Sequence, residues 1–121
     1  MRRYRVPVTT EADGTATAYT PRVAGKLHSI HYVKDDFADG VDFTVTSEAT
    51  GETLWAESNV NAAAVRYPRA PTHTPQGVAA LFADAGEAVN DRIALASDRV
   101  KIAIAQGGNA TSGIFHVLVD Q

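Results

Sequence analysis

Residues 41–46, VDFTVT, alternate apolar and polar side chains at every position, and this alternation decides the fold class. Successive side chains of an extended strand point to opposite faces, so the pattern predicts a strand with one buried face. The same alternation recurs in three other segments: Tyr4–Val8, Val100–Ile104 and Phe115–Val119. The chain is therefore predicted to be all-β, an antiparallel β-sandwich or jelly-roll-like domain.

Turn-forming residues separate the strand segments. Asp13-Gly14 and Asp39-Gly40 suit tight hairpin turns, because glycine and aspartate adopt positive φ readily. Thr50-Gly51 separates two further strand segments, and residues 107–113, GGNATSG, connect the last two. We predict an antiparallel hairpin at this final connection. Four hairpin-like connections in a short chain favour a sandwich or barrel over a parallel sheet.

Length and composition are those of one soluble globular domain that spans residues 1–121. The chain is 45% hydrophobic and 21% charged, and without cysteine it forms no disulfide. Its net charge of −3 argues against a nucleic-acid partner, which requires a basic surface. The longest apolar run is far shorter than the roughly 20 residues of a membrane span, and no signal peptide is recognisable. We expect neither a nucleic-acid nor a membrane partner.

Residues 66–90 form a long connection that interrupts the strand pattern. Its three prolines each lack a backbone donor and therefore exclude a regular central strand. One interpretation of its second half, residues 74–86, is a short helix with Thr74 as the N-cap and Pro75 in the first turn. Gly77 argues against this helix, and Gly86 would end it.

Partner contacts are expected in the arginine-rich start of the chain and in the proline-containing connection. Arginine and tyrosine are enriched at protein interfaces, and proline lowers the entropy that an arm loses when a partner orders it. The predicted partner-binding residues are Arg2, Arg3, Tyr67, Arg69, Pro71 and His73. The alternative is that the connection folds back over its own sandwich and closes one end. The sequence leaves both alternatives open.

A search for reactive groups assigns no catalytic residue and no cofactor. The chain has neither a Gly-x-Ser-x-Gly elbow nor a phosphate-binding loop, so we predict that it is not an enzyme. His28 and His31 lie in a predicted strand, where they would project to opposite faces and not share a metal. Asp35, Asp36 and Asp39 are interpreted as turn formers, with a weak calcium site as the alternative.

Trp55 and the other aromatic residues are predicted to be core side chains. Phe43 and Phe115 fall at alternating apolar positions, which mark the buried face of a strand. A carbohydrate-binding module would instead expose several aromatic side chains on one face. This host-attachment module is the alternative function from another class.

Two stretches resemble small structural proteins of tailed bacteriophages and prophages. The first is DFADGVDFTVT at residues 36–46, which continues through ATGETLW at residues 49–55. The second runs from DRVKI at residues 98–102 through GGN at residues 107–109 to FHV at residues 115–117. The similarity covers most of the chain, but it consists of strand and turn segments and contains no catalytic signature.

The resemblance implies a non-catalytic virion protein with a β-sandwich fold. In that group, such proteins serve as capsid decoration or cement, or as the base of a head spike. The implied partners are the major capsid protein or other virion proteins, together with further copies of the chain in a homo-oligomer. Location in the virion, after assembly in the bacterial cytoplasm, is also implied. A head–tail connector or tail ring component is the alternative within the same group.

Overall fold

The computed structural model describes the whole chain, Met1–Gln121, as eleven β-strands without a helix. The strands are β1 Arg2–Thr9, β2 Ala16–Tyr19, β3 Val23–Lys34, β4 Val41–Ser47, β5 Thr53–Val60, β6 Ala64–Arg66, β7 Arg69–Pro71, β8 Asn90–Arg92, β9 Ala94–Asp98, β10 Val100–Ala105 and β11 Ser112–Asp120. All strand pairs are antiparallel. The all-β prediction is confirmed. The structure has no helix of the length and apolarity that a membrane span needs.

Two sheets enclose the core. Sheet 1 has the strand order β1-β11-β3-β6, with β9 also paired to β3, and sheet 2 has the order β2-β10-β4-β5. Strands that are consecutive in the chain, such as β1 and β2 or β10 and β11, thus lie in different sheets. This alternation between two antiparallel sheets is the strand order of a jelly roll. The predicted fold class is therefore confirmed.

The alternating apolar side chains that the sequence identifies lie in the core, together with further apolar side chains of β3, β5 and β9. Val6, Val45, Ile102 and Val117 are all buried, and each comes from a different strand. Aromatic rings fill the centre, where Phe43 lies edge-on to Phe115 with 5.0 Å between centroids. Contacts of this geometry add to the free energy gained by burying the rings.

Three of the four predicted hairpins are wrong. The turn at Thr50-Gly51 does join paired strands, because β4 pairs with β5. The turns at Asp13-Gly14 and Asp39-Gly40, and the connection at residues 107–113, each carry the chain from one sheet to the other. A positive φ at Gly14 and Gly40 reverses the chain direction in both cases, but a reversal does not determine which strand becomes the neighbour.

One edge of sheet 1 is built from an interrupted strand. β6 pairs with Ile30–Tyr32 of β3, and β9 pairs with the earlier part of the same strand, so β6 and β9 lie end to end. Between them the chain leaves the sheet at residue 67 and returns at residue 93. We call residues 67–93 the arm. Its root is the short β7–β8 pair.

The helix over residues 74–86 is not formed. Gly77 has φ of 81° and its N–H donates to the Thr74 carbonyl, so residues 74–77 form a reverse turn. A positive φ is incompatible with a right-handed helix. The N–H groups of Ala80 and Phe82 then donate to the carbonyls of Thr72 and Glu87, which leaves them unavailable for helical bonds. The segment is a small meander of extended pieces with two isolated β-bridges.

Candidate partner-binding site

The root of the arm is attached to β3 at the gap between β6 and β9. Arg69 donates from Nη1 to the His28 carbonyl at 3.1 Å, and the Tyr67 ring stands edge-on to the His28 ring at 5.7 Å. On the returning strand, Arg92 forms an ion pair with Asp120, and its hydrogen bond lowers the pKa of that carboxyl group. Polar contacts on both strands therefore fix the direction in which the arm leaves the sheet.

Beyond its root, the arm makes no hydrogen bond to the sandwich. No residue from Pro71 to Asn90 is buried. Every hydrogen bond made by residues 72–89 joins two residues of that same segment. These two observations favour the interaction-arm alternative over the one in which the connection folds back and closes one end of the sandwich.

The tip of the arm exposes large apolar side chains. Phe82 is 76% exposed and Val78 is 63% exposed, and Leu81 nearby is also exposed. Single exposed apolar residues are common on soluble proteins, but a cluster on a projecting element is typical of an interaction surface. Aromatic side chains in particular contribute strongly when a partner buries them.

The predicted partner-binding residues fall in two places. Tyr67, Arg69, Pro71 and His73 all lie on the outgoing segment of the arm, which includes β7, in order from its root toward its tip. The exposed apolar tip lies beyond them on the same arm, and the sequence interpretation did not include it among the candidate residues. The apolar run at residues 78–83, which directly follows the prolines, is the signal that marks it.

Arg2 and Arg3 lie apart from the arm. They belong to β1, at the opposite edge of sheet 1, with β11 and β3 between them and the arm. At about 4.8 Å per strand spacing, that is a separation of roughly 14 Å across the sheet. Arg2 covers the ring of Tyr4 at 5.3 Å, whereas Arg3 lines a recess in the outer face of the sheet. The structure does not join the two predicted groups into one site.

The three aspartates of the β3–β4 loop are engaged with protein groups. The Ser112 hydroxyl donates to Asp35 at 3.0 Å, and the Ser112 N–H donates to Asp36. Asp39 forms an ion pair with Lys34. These bonds attach the loop to the start of β11. No group of three or more carboxylate or imidazole side chains is assembled at a metal-binding distance anywhere in the chain.

His28 and His31 do not project to opposite faces as predicted. The register between β3 and β11 shifts between Leu118 and Val119, which leaves His28 as an extra, bulged residue. The bulge brings His28, Ser29 and His31 to one side. The Ser29 hydroxyl lies 3.0 Å from His28 Nδ1 and 3.3 Å from His31 Nε2.

The aromatic residues do not form an exposed row. Trp55 is only 5% exposed and packs against Phe43 in the core. The exposed rings of Tyr19, Tyr67 and Phe82 belong to sheet 2, the arm root and the arm tip. This arrangement lacks the flat aromatic platform on which the carbohydrate-binding alternative depends.

No protein-family model matches the chain, and no curated protein matches it either.

Proposed function

We propose that this protein is a non-catalytic structural subunit of a virion, which attaches to its particle through the arm. The observation that carries the proposal is the apolar tip, with Phe82 exposed on the part of the arm beyond its root, in which no residue is buried. The capsid lattice, as decoration or cement or as the base of a head spike, is the attachment surface that the phage resemblance implies.

The geometry of the arm supports a binding role. Its internal hydrogen bonds, such as that from the Ala80 N–H to the Thr72 carbonyl at 2.7 Å, order it before any partner is present. A preformed arm loses less conformational entropy on docking than a disordered one. Docking would bury Phe82, Val78 and Leu81, and Tyr67 and Arg69 at the root would form the rim of the interface.

The fold is compatible with this proposal but does not distinguish it from other functions. Jelly rolls occur in viral capsid proteins, and also in lectins and in enzymes, so the function depends on the arm and not on the sheets. Many copies on a lattice bind cooperatively even when each contact is modest, provided that the geometry allows simultaneous attachment. A homo-oligomer would provide such multiplicity.

Particle association tests the proposal. A strain that carries the gene in its phage or prophage is induced, particles are sedimented, and this chain is quantified in them by mass spectrometry. We expect the wild-type chain in the particles and at least a tenfold loss with Phe82→Ser. Tyr19→Ser, which removes an exposed ring on sheet 2, is the matched control and should associate normally. Absence of the wild-type chain from particles refutes the proposal.

Copy number then distinguishes the two positions in the particle. A decoration protein is present in hundreds of copies, whereas a head–tail or tail ring contains roughly a dozen. Electron microscopy of the same particles measures both the number and the location. A ring of roughly a dozen copies would assign the chain to the connector alternative.

A further inference from the structure

A recess of about 180 Å³ opens on the outer face of sheet 1, away from the arm. Its lining combines positive, titratable and apolar groups: Arg3, His31, Val33, His116 and Leu118. The recess follows from strand register, because His116 of β11 lies directly opposite His31 of β3 and directly opposite Arg5 of β1. Three chain segments far apart in sequence thus present cationic or imidazole groups in one row.

The positive charge of this face is not neutralised within the chain. The protein carries a net charge of −3, yet strands β1, β11, β3 and β6 contain a single carboxylate, Asp120, and that group is paired with Arg92. The other cations on these strands, such as Lys34 and Arg66, have carboxylate partners. Arg2, Arg3 and Arg5 have none.

His116 lines the recess and contains an unsatisfied polar atom. Its Nδ1 is buried and has no hydrogen-bond partner. Burial lowers the pKa of His116, and the neighbouring charges of Arg3, Arg5 and His31 lower it further. No carboxylate contributes to the electrostatic surroundings of this ring. An anion in the recess would reduce the repulsion among these groups.

We propose that the recess binds an oxyanion, a phosphate or a carboxylate group, between the Arg3 guanidinium and the imidazoles of His31 and His116. Arginine binds both oxyanions through charge-assisted, often bidentate hydrogen bonds. Val33 and Leu118 provide an apolar wall for the remainder of the ligand. The oxyanion belongs either to a free small molecule or to an acidic side chain of a protein partner, and both sources present the same chemistry.

The test is a titration of the wild-type protein followed by NMR of the histidine ring resonances. The probes are sodium phosphate, sodium acetate and a tri-glutamate peptide, each compared with sodium chloride at equal ionic strength. We expect saturable shifts of the His116 and His31 signals with at least one oxyanion. Saturation by the peptide at lower concentration than phosphate identifies an acidic partner segment, and the reverse identifies a small free anion.

Two variants give the test its specificity. Arg3→Gln should weaken binding by about tenfold or more, because one charge-assisted contact is lost. Arg22→Gln removes an exposed arginine outside the recess and should leave binding unchanged. Equal oxyanion affinities of the two variants would refute the proposal. It would also be refuted if the histidine signals of the wild type shifted no more with the oxyanions than with sodium chloride. These outcomes are independent of particle association, which the arm is proposed to mediate.

Discussion

Phe37 lies directly over Gly113, so close that a β-carbon on residue 113 would stand 2.6 Å from Cε2 of the ring. The ring comes from the β3–β4 loop and is only 2% exposed, and Gly113 stands at the start of β11. The loop that crosses from sheet 1 to sheet 2 is therefore anchored in the core by an aromatic side chain that only glycine admits. The Phe37 ring also stacks on Tyr32.

Gly113→Ala should destabilise the protein by about 1–3 kcal/mol, because the added methyl group displaces the buried ring. The direction of this change distinguishes the contact from its absence. At an unhindered position Gly→Ala usually stabilises a protein, because it restricts the unfolded chain. Urea unfolding measures the change. In a Phe37→Leu background, the smaller side chain should reduce the cost of Gly113→Ala. Equal costs in both backgrounds would contradict the contact.

Thr10→Val should destabilise the protein by about 1–2 kcal/mol, because it removes a buried hydroxyl that joins two connections between the sheets. This hydroxyl donates to the Gly108 carbonyl at 2.7 Å and accepts from the Thr111 N–H at 2.9 Å. The control is Thr9→Val, an identical change at an exposed neighbour, which should alter stability by less than about 0.5 kcal/mol. Thermal unfolding of both variants decides the question.

Glu57 should stabilise the edge where β5 of sheet 2 meets β6 of sheet 1. It accepts from the Trp55 indole at 3.1 Å and from Arg66 Nε at 2.9 Å, and these bonds lower its pKa. Glu57→Ala should cost about 1 kcal/mol, since the nearly buried indole N–H loses its partner.

The stabilisation by Glu57 should depend on pH. A carboxyl group with a lowered folded-state pKa stabilises the protein above its unfolded-state pKa, and this contribution disappears as the pH falls through the folded value. The stability difference between wild type and Glu57→Gln should therefore be larger at about pH 7 than at about pH 3. Urea unfolding at both pH values measures it, and a difference that does not shrink on acidification contradicts the prediction.

Removal of the arm beyond its root should leave the sandwich folded. Pro71 and Asn90 face each other in the β7–β8 pair, so residues 72–89 are replaceable by a two-residue Asn-Gly turn. We expect a change in stability of less than about 1 kcal/mol, because the removed segment contains no buried residue and shorter loops close more readily. Loss of cooperative unfolding in this variant would show that the arm supports the fold.

His116 should make the protein less stable under mildly acidic conditions. Its pKa is lowered in the folded state by burial and by Arg3, Arg5 and His31, so the folded protein favours the neutral ring. This contribution is present above the ordinary histidine pKa and is lost as the pH falls through the lowered value. In phosphate-free buffer, stability lost between about pH 7.5 and about pH 5 should be smaller in His116→Gln than in wild type. If the stabilities of wild type and His116→Gln fell equally over this pH range, His116 would not be the group responsible.

The candidate site was predictable only in part. Tyr67, Arg69, Pro71 and His73 were identified because residue type and proline content are local properties of the sequence. The exposure of Phe82 could not be predicted, because an apolar run such as residues 78–83 fits a buried face of the protein equally well. The row formed by Arg5, His116 and His31 depends on the register of three strands that are distant in the sequence, so no local pattern signals it.

The sequence by itself determined that the chain forms strands and, in the regularly alternating segments, which side chains face the core, because successive side chains of a regular strand point to opposite faces. In β3 the bulge at His28 breaks this alternation, and only the pairing with β11 places it. The tertiary structure alone decided which sheet each strand joins. Asp39-Gly40 reverses the chain wherever it occurs, but Phe37 beside it packs on Gly113, and this contact directs the chain across the core to sheet 2. Burial of that ring is a contact between distant segments, and only the folded chain brings them together.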